Sequence, residues 1–194
     1  PDPFLVLATQ NPIETEGTYA LPEAQVDRFM MKVLVDYPSE TEEFVIVERM
    51  TGTFPTVQQV LSTDALIDMQ RAADAVYVDP ALMAYAVRLA TATREPEAHG
   101  LAELKRYITF GASPRASINL ILTARALAFV RGRDYALPED VLDMALDVLR
   151  HRLVLSFEAL SDDVTSDALL ETLLDRIPVP VVPLRDHGNV HVSA

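Results

Sequence analysis

Three times along the chain a proline opens a run of apolar residues at helical spacing, and this repeated signal constrains the fold most. Asp79 and Pro80 read as cap and first turn of a helix whose apolar positions are Leu82, Tyr85, Ala86 and Leu89. Ser113 and Pro114 repeat it before the longest helix, to about Arg131, with Ile118, Ile121, Leu122, Ala124, Leu127 and Ala128 on a wide apolar face. Pro138 starts a further helix with Val141, Leu142, Ala145, Val148 and Leu149 on one stripe. Proline fixes φ and lacks an amide hydrogen, so it fits a helix start and breaks a helix interior. Together with helices expected in ETEEFVIVERM and from Asp64 to about Ala75, these runs predict a bundle with its own core. A short helix is expected from Val164 to Arg176. The proline-rich end, RIPVPVVPLRDHGNVHVSA, is expected to be an extended tail over 178–194.

The first 38 residues follow another pattern. Phe4 to Ala8 and Met30 to Val35 are apolar runs of strand length, with a helix expected between them from Pro22 to about Phe29. That is the skeleton of one strand-helix-strand crossover. Two parallel strands cannot cover both faces of a sheet alone, so this segment reads as the edge of a larger α/β domain. The fold class expected is mainly α, a helical bundle over 39–177 preceded by a two-strand remnant of a parallel α/β core over 1–38.

Charge and composition exclude several functions. With 16 basic and 29 acidic residues the formal net charge is -13, which opposes bulk attraction to nucleic acid. No apolar run approaches the roughly 20 residues of a membrane span, so no membrane insertion is expected. Cysteine is absent, which excludes disulfides and thiolate metal sites and allows a cytoplasmic location. The lysines are Lys32 and Lys105, and neither follows a glycine, so no GxxxxGK[ST] phosphate loop is present. VLVDYP at 33–38 comes nearest to a magnesium-binding strand end, but Tyr37 stands where a catalytic glutamate would be expected.

Three polar positions are candidates for chemistry. Asn11, in LATQNP, ends the first strand candidate, where parallel sheets bind ligands, and its amide could hold a phosphate oxygen or orient a water. Its structural alternative is a turn before Pro12. Arg28, in PEAQVDRF, is an always-charged guanidinium at a domain rim, suited to reach into a neighbour's phosphate site; a salt bridge to Asp27 or Glu23 is the alternative. Arg115, in GASPRAS, stands in the first turn of a helix, where the helix dipole disfavours a cation unless an anion is near. Free backbone amides, dipole and guanidinium there would form a phosphate-binding corner, with Gly111 giving the chain freedom to turn.

Other polar clusters have structural explanations. His187 and His191 would suit a metal only on a helix, which Gly188 opposes, so no metal site is assigned. Asp162 and Asp163 read as a solvated turn. His151 and Arg152, and the Arg131 to Arg133 cluster, sit at helix ends where cations complement the dipole.

In order, FLVLATQNPIETEGTYALPEAQVDRFMMKVLVDYP, GASPRAS and ALPEDVLDMALDVLRHRL resemble the second half of a MoxR-family AAA+ ATPase, a group of bacterial and archaeal chaperone-like ATPases. The resemblance covers nearly the whole chain except its final tail. It implies that Asn11 corresponds to sensor 1, Arg28 to the arginine finger and Arg115 to sensor 2 of the lid domain. It also implies ATP and Mg2+ as cofactors of the full-length protein, with none expected tightly bound by these residues alone. The phosphate loop and acidic strand belong upstream, so the chain reads as truncated and inactive by itself. Implied partners are further copies in a homo-oligomeric ring, a hexamer, and client proteins, including partners with von Willebrand factor A domains. A helical protein-interaction module without nucleotide chemistry is the alternative reading.

Overall fold

The computed structural model describes residues 3–10, 21–54 and 56–182. The architecture is mainly α. Eight helices run through these residues: α1 Glu23–Val26, α2 Glu40–Thr51, α3 Thr63–Asp74, α4 Pro80–Arg94, α5 Pro114–Val130, α6 Pro138–Leu149, α7 Phe157–Ser161 and α8 Ser166–Arg176. Short 3₁₀ turns occupy Pro96–His99, Ala102–Tyr107 and Arg150–Arg152, and two strands, β1 Ile108–Phe110 and β2 Val154–Leu155, pair antiparallel.

The proline-led helices form where expected. Asp79 caps α4 by accepting from the Ala81 amide, and Ser113 caps α5 by accepting from the Arg115 amide. At α6 the residue before the helix is Leu137, which has no side-chain acceptor, and Asp140 accepts from the Leu137 amide at 2.8 Å. The expected starts at Asp64 and Val164 shift by one and two residues, to Thr63 and Ser166. Thr165 caps the latter by accepting from the Ala168 amide.

Two expectations are corrected. Phe4–Ala8 and Met30–Val35 carry no strand ladder. A strand exists only through bonds to a neighbour, and nothing among the described residues supplies one to either segment. The helix expected over 22–29 is a single turn, Glu23–Val26, which closes through hydrogen-bonded turns at Arg28 and Phe29. The β1–β2 pair went unanticipated because strands of three and two residues leave no periodicity to read.

The contacts group the residues differently from a division at 38/39. One unit takes Val33–Ala72 together with the residues before Leu21; the other takes Leu21–Lys32 and the chain from Ala73 on. In the first unit α2 has a complete capping box, Ser39 with Glu42, yet neither α2 nor α3 buries a side chain. Phe44, Val47 and Met50 stand exposed on α2.

The second unit holds the core. Helix α5 packs against α4 and α6, and α8 lies on α4 and α6. Leu82, Tyr85, Leu89, Leu120, Val141, Val148, Leu149, Leu170 and Leu173 fill the space between them. Each such side chain contributes about 1.5–3 kcal/mol on full burial. A buried carboxylate stands among them, Asp140, held by Arg131 at 2.9 Å and by Arg133 at 2.8 and 2.5 Å. Burial opposes ionisation of Asp140, but the hydrogen bonds from Arg133 and the Leu137 amide overcome it and hold the carboxyl below its ordinary range. The arginines after α5 are thus structural, as expected, but they clamp a buried carboxylate rather than only complementing a dipole.

Candidate functional site

Helix α5 begins where two backbones touch. A Cβ on Gly111 would lie 2.4 Å from the Thr93 carbonyl oxygen and 2.6 Å from the Arg94 amide nitrogen. No positive φ is involved, so glycine is required there for close approach and not for turning, as the sequence had suggested. The buried Thr93 hydroxyl accepts from the Ala112 amide at 2.8 Å and donates to the Ala90 carbonyl at 2.7 Å. The end of α4 thereby fixes the start of α5, and with it Arg115.

The anion at that start is supplied by the chain itself. The Ser113 hydroxyl lies 3.0 and 2.9 Å from the two carboxylate oxygens of Asp27, and Arg115 Nη1 donates to Asp27 at 3.3 Å. The expected set of free backbone donors is smaller than supposed. The Arg115 amide is taken by Ser113 Oγ, the Ala116 amide by the Ser113 carbonyl, and Pro114 has none. What the corner offers a ligand is chiefly the guanidinium of Arg115, whose side chain is 56% exposed.

Arg152 is the residue that sequence reasoning undervalued. Its side chain is fully buried and its donors are all engaged. Nη1 reaches the Asp27 carboxylate at 2.5 Å and the Asp27 carbonyl at 2.6 Å; Nη2 reaches the carbonyls of Phe29 at 2.6 Å and Met30 at 3.4 Å; Nε reaches the Val148 carbonyl at 2.8 Å. The neighbouring His151 Nε2 lies 3.2 Å from the Phe29 carbonyl. A dipole argument explains a cation near the end of α6; it does not foresee five acceptors, four of them about 120 residues away in sequence. The two letters HR carried no signal of that.

The electrostatics follow from these contacts. Burial raises the cost of charge on Asp27, yet hydrogen bonds from Ser113 and Arg152 outweigh it and the carboxyl sits below its ordinary value. Burial, then the Arg152 charge, push His151 down, favouring neutral imidazole. Burial also pulls Arg152 below its ordinary value, opposed by the Asp27 hydrogen bond and charge.

Of the three expected site residues, Arg28 and Arg115 lie in the same unit, and Asp27, the residue before Arg28, is the partner of Arg115. Arg28 is exposed, and among the described residues its side chain makes neither an ion pair nor a hydrogen bond, so the salt bridge to Asp27 or Glu23 does not form. Asn11 lies outside the described residues, as do His187 and His191. No group of His, Asp or Glu among the described residues could hold a metal ion, and none of the described helices is long and apolar enough to cross a membrane.

An anionic ligand fits this corner in donor chemistry. The Arg115–Asp27 pair is half exposed and long, the kind that contributes little, and Asp27 keeps Arg152 and Ser113 if Arg115 turns away. Arg115 can therefore exchange its carboxylate for a phosphate without stranding a buried charge.

Residues 1–31 match the family described as ATPase family associated with various cellular activities (AAA), and residues 101–173 match the AAA lid domain. The chain is 50% identical over 191 residues to Chaperone MoxR1 of Mycobacterium tuberculosis, an alignment spanning 97% of this chain and 51% of that protein. It is 33% identical over 189 residues to Protein MoxR of Paracoccus denitrificans, spanning 90% of this chain and 56% of that protein. The solved structure of a candidate ATPase from Cytophaga hutchinsonii superposes with a TM-score of 0.89 at 41% identity, covering 93% of this chain and 56% of that one. The chain spans about half the length of the relatives it matches. It belongs to the MoxR family of AAA+ ATPases, with the AAA match at its start and the lid match in its helical body.

Proposed function

We propose that this chain forms the sensor and lid portion of a ring-forming ATPase whose turnover remodels client proteins in the cytoplasm. The observation that supports it most directly is the pairing of Arg115 with the residue before Arg28, which draws two exposed guanidinium groups into one neighbourhood. In this reading Arg115, as sensor 2, trades Asp27 for a phosphate oxygen. Arg28, as arginine finger, reaches the phosphates held by an adjoining subunit, where its fixed charge favours the transition state. Asn11, as sensor 1, orients the attacking water. Magnesium-bound ATP would supply the scissile phosphoryl bond; no residue of this chain is assigned to the metal.

Such a site works only between copies, so the full-length protein is read as a homo-oligomeric ring, a hexamer. The name Chaperone MoxR1 borne by a relative agrees with action on client proteins, and partners carrying von Willebrand factor A domains are the class proposed. In full-length protein, Arg28→Ala and Arg115→Ala are expected to lower ATP turnover by roughly 10³-fold and 10²-fold while nucleotide still binds. Wild-type rates for both variants would remove the assignment and leave the helical interaction module as the better reading.

A further inference from the structure

We infer that Asp27 is an autoinhibitory carboxylate: it holds the Arg115 guanidinium whenever no phosphate is bound there, and so sets how tightly and how long nucleotide is retained. This deepens the proposed function and rests on its sensor 2 reading of Arg115. Asp27 lies in the residues that match the ATPase, 1–31, and Arg115 in those that match the lid, 101–173. The ion pair of 3.3 Å between them therefore joins two parts of the site, and a phosphate that takes Arg115 must break it.

The two carboxylate oxygens of Asp27 face different partners. Oδ1 accepts from Arg152 Nη1 at 2.5 Å, Oδ2 accepts from Arg115 Nη1 at 3.3 Å, and the Ser113 hydroxyl lies 3.0 and 2.9 Å from the pair. Arg152 is fully buried, whereas Arg115 is 56% exposed and makes the longest of these contacts. When Arg115 leaves, Asp27 keeps Ser113 and Arg152, so its charge stays compensated and it does not follow. It is also ionised at neutral pH: burial opposes the charge, but hydrogen bonds from Ser113 and Arg152 hold the carboxyl below its ordinary value. The competitor is thus a fixed anion, held in place from behind.

Charge gives the sign of the effect. Arg115, Arg152 and Asp27 sum to one positive charge, so the corner attracts a phosphate even with the carboxylate in place. Neutralising Asp27 raises that to two and frees Arg115 from its partner, and both changes favour the phosphate. Asp27 therefore acts through Arg115, as a positioning residue that weakens the hold on nucleotide enough for product to leave. Damage to a fold weakens binding; removal of a competitor strengthens it.

The test uses full-length protein and a fluorescent ATP analogue. Asp27→Asn, which keeps an acceptor for Arg152, is expected to bind the analogue about fivefold more tightly, through slower release. Should it not fold, Asp27→Asn combined with Arg152→Gln removes the buried charge together with its partner and is expected to show the same gain. In an Arg115→Ala background the Asp27→Asn substitution should gain less than about twofold. Unchanged or weakened affinity in the folded variants overturns the inference, as does an equal gain with and without Arg115, which would mark through-space charge alone. The two readings fail separately. Lowered turnover in Arg115→Ala beside unchanged affinity in Asp27→Asn removes only the autoinhibitory role, whereas wild-type turnover and affinity in Arg115→Ala remove the sensor 2 assignment and the inference with it.

Discussion

Helices α2 and α5 begin alike and end up in different physical situations. Each starts at a serine whose hydroxyl accepts from the backbone of the first turn, and α2 has the fuller device, a reciprocal box with Glu42. Yet α5 buries Ala116, Leu120, Thr123, Ala124 and Ala128, whereas α2 buries nothing. Caps of about 1 kcal/mol set where a helix starts; they do not make it stable, because that requires an apolar face with something to cover it. The exposed row of Phe44, Val47 and Met50 marks α2 as a helix whose stability depends on a surface other than the described residues of its own unit.

The contrast can be broken most directly by amide hydrogen exchange on the chain. Amides in the middle of α5 are expected to exchange at least roughly a thousandfold more slowly than those of α2, the former opening with the whole core and the latter locally. Equal protection would show that α2 has found a partner. Next in size is Asp140→Ala, which leaves Arg131 and Arg133 without their buried acceptor and is expected to cost about 3–5 kcal/mol by urea unfolding. Gly111→Ala should cost about 1–3 kcal/mol, since the obstacle is backbone at Thr93 and Arg94 and cannot swing aside.

A shallower effect is expected with pH. The pKa of His151 is lower folded than its ordinary 6.5, so the unfolded chain takes up the proton first. The stability from keeping it neutral is complete above 6.5 and is lost as pH falls through the folded value, and His151→Gln should flatten that slope. A second decline sets in as pH approaches 3.8, where Asp27 and Asp140 become half protonated in the unfolded chain while the fold, which lowers both, keeps them ionised. The smallest effect sharpens the comparison from the other side: Phe44→Ala should change the unfolding of the core by less than about 0.5 kcal/mol.

Much of the helical body was legible because its signals are local. Proline at the first turn, a capping hydroxyl or carboxylate before it, and apolar residues every three or four positions specify α4, α5 and α6 without reference to anything distant. The strand candidates at Phe4–Ala8 and Met30–Val35 misled for the opposite reason. Apolar runs report only that a segment suits burial, and a sheet is decided by partners. The site divided in the same way. Arg115 could be singled out from its place beside Ser113 and Pro114, but Asp27 and Arg152, the groups that give it a setting, meet over long sequence separations that no spacing rule encodes.

The contact between Gly111 and the last turn of α4 has a consequence for how the molecule can vary. Since the Thr93 hydroxyl and the neighbouring carbonyl dictate where the next helix is launched, α4 behaves as a ruler. Lengthening it by one residue would swing its terminus by about 100° and carry the launching point, and the guanidinium one turn beyond it, to another side of the bundle. Insertions within α4 between Leu82 and Thr93 should therefore be far less tolerated than insertions of equal size after Ile177.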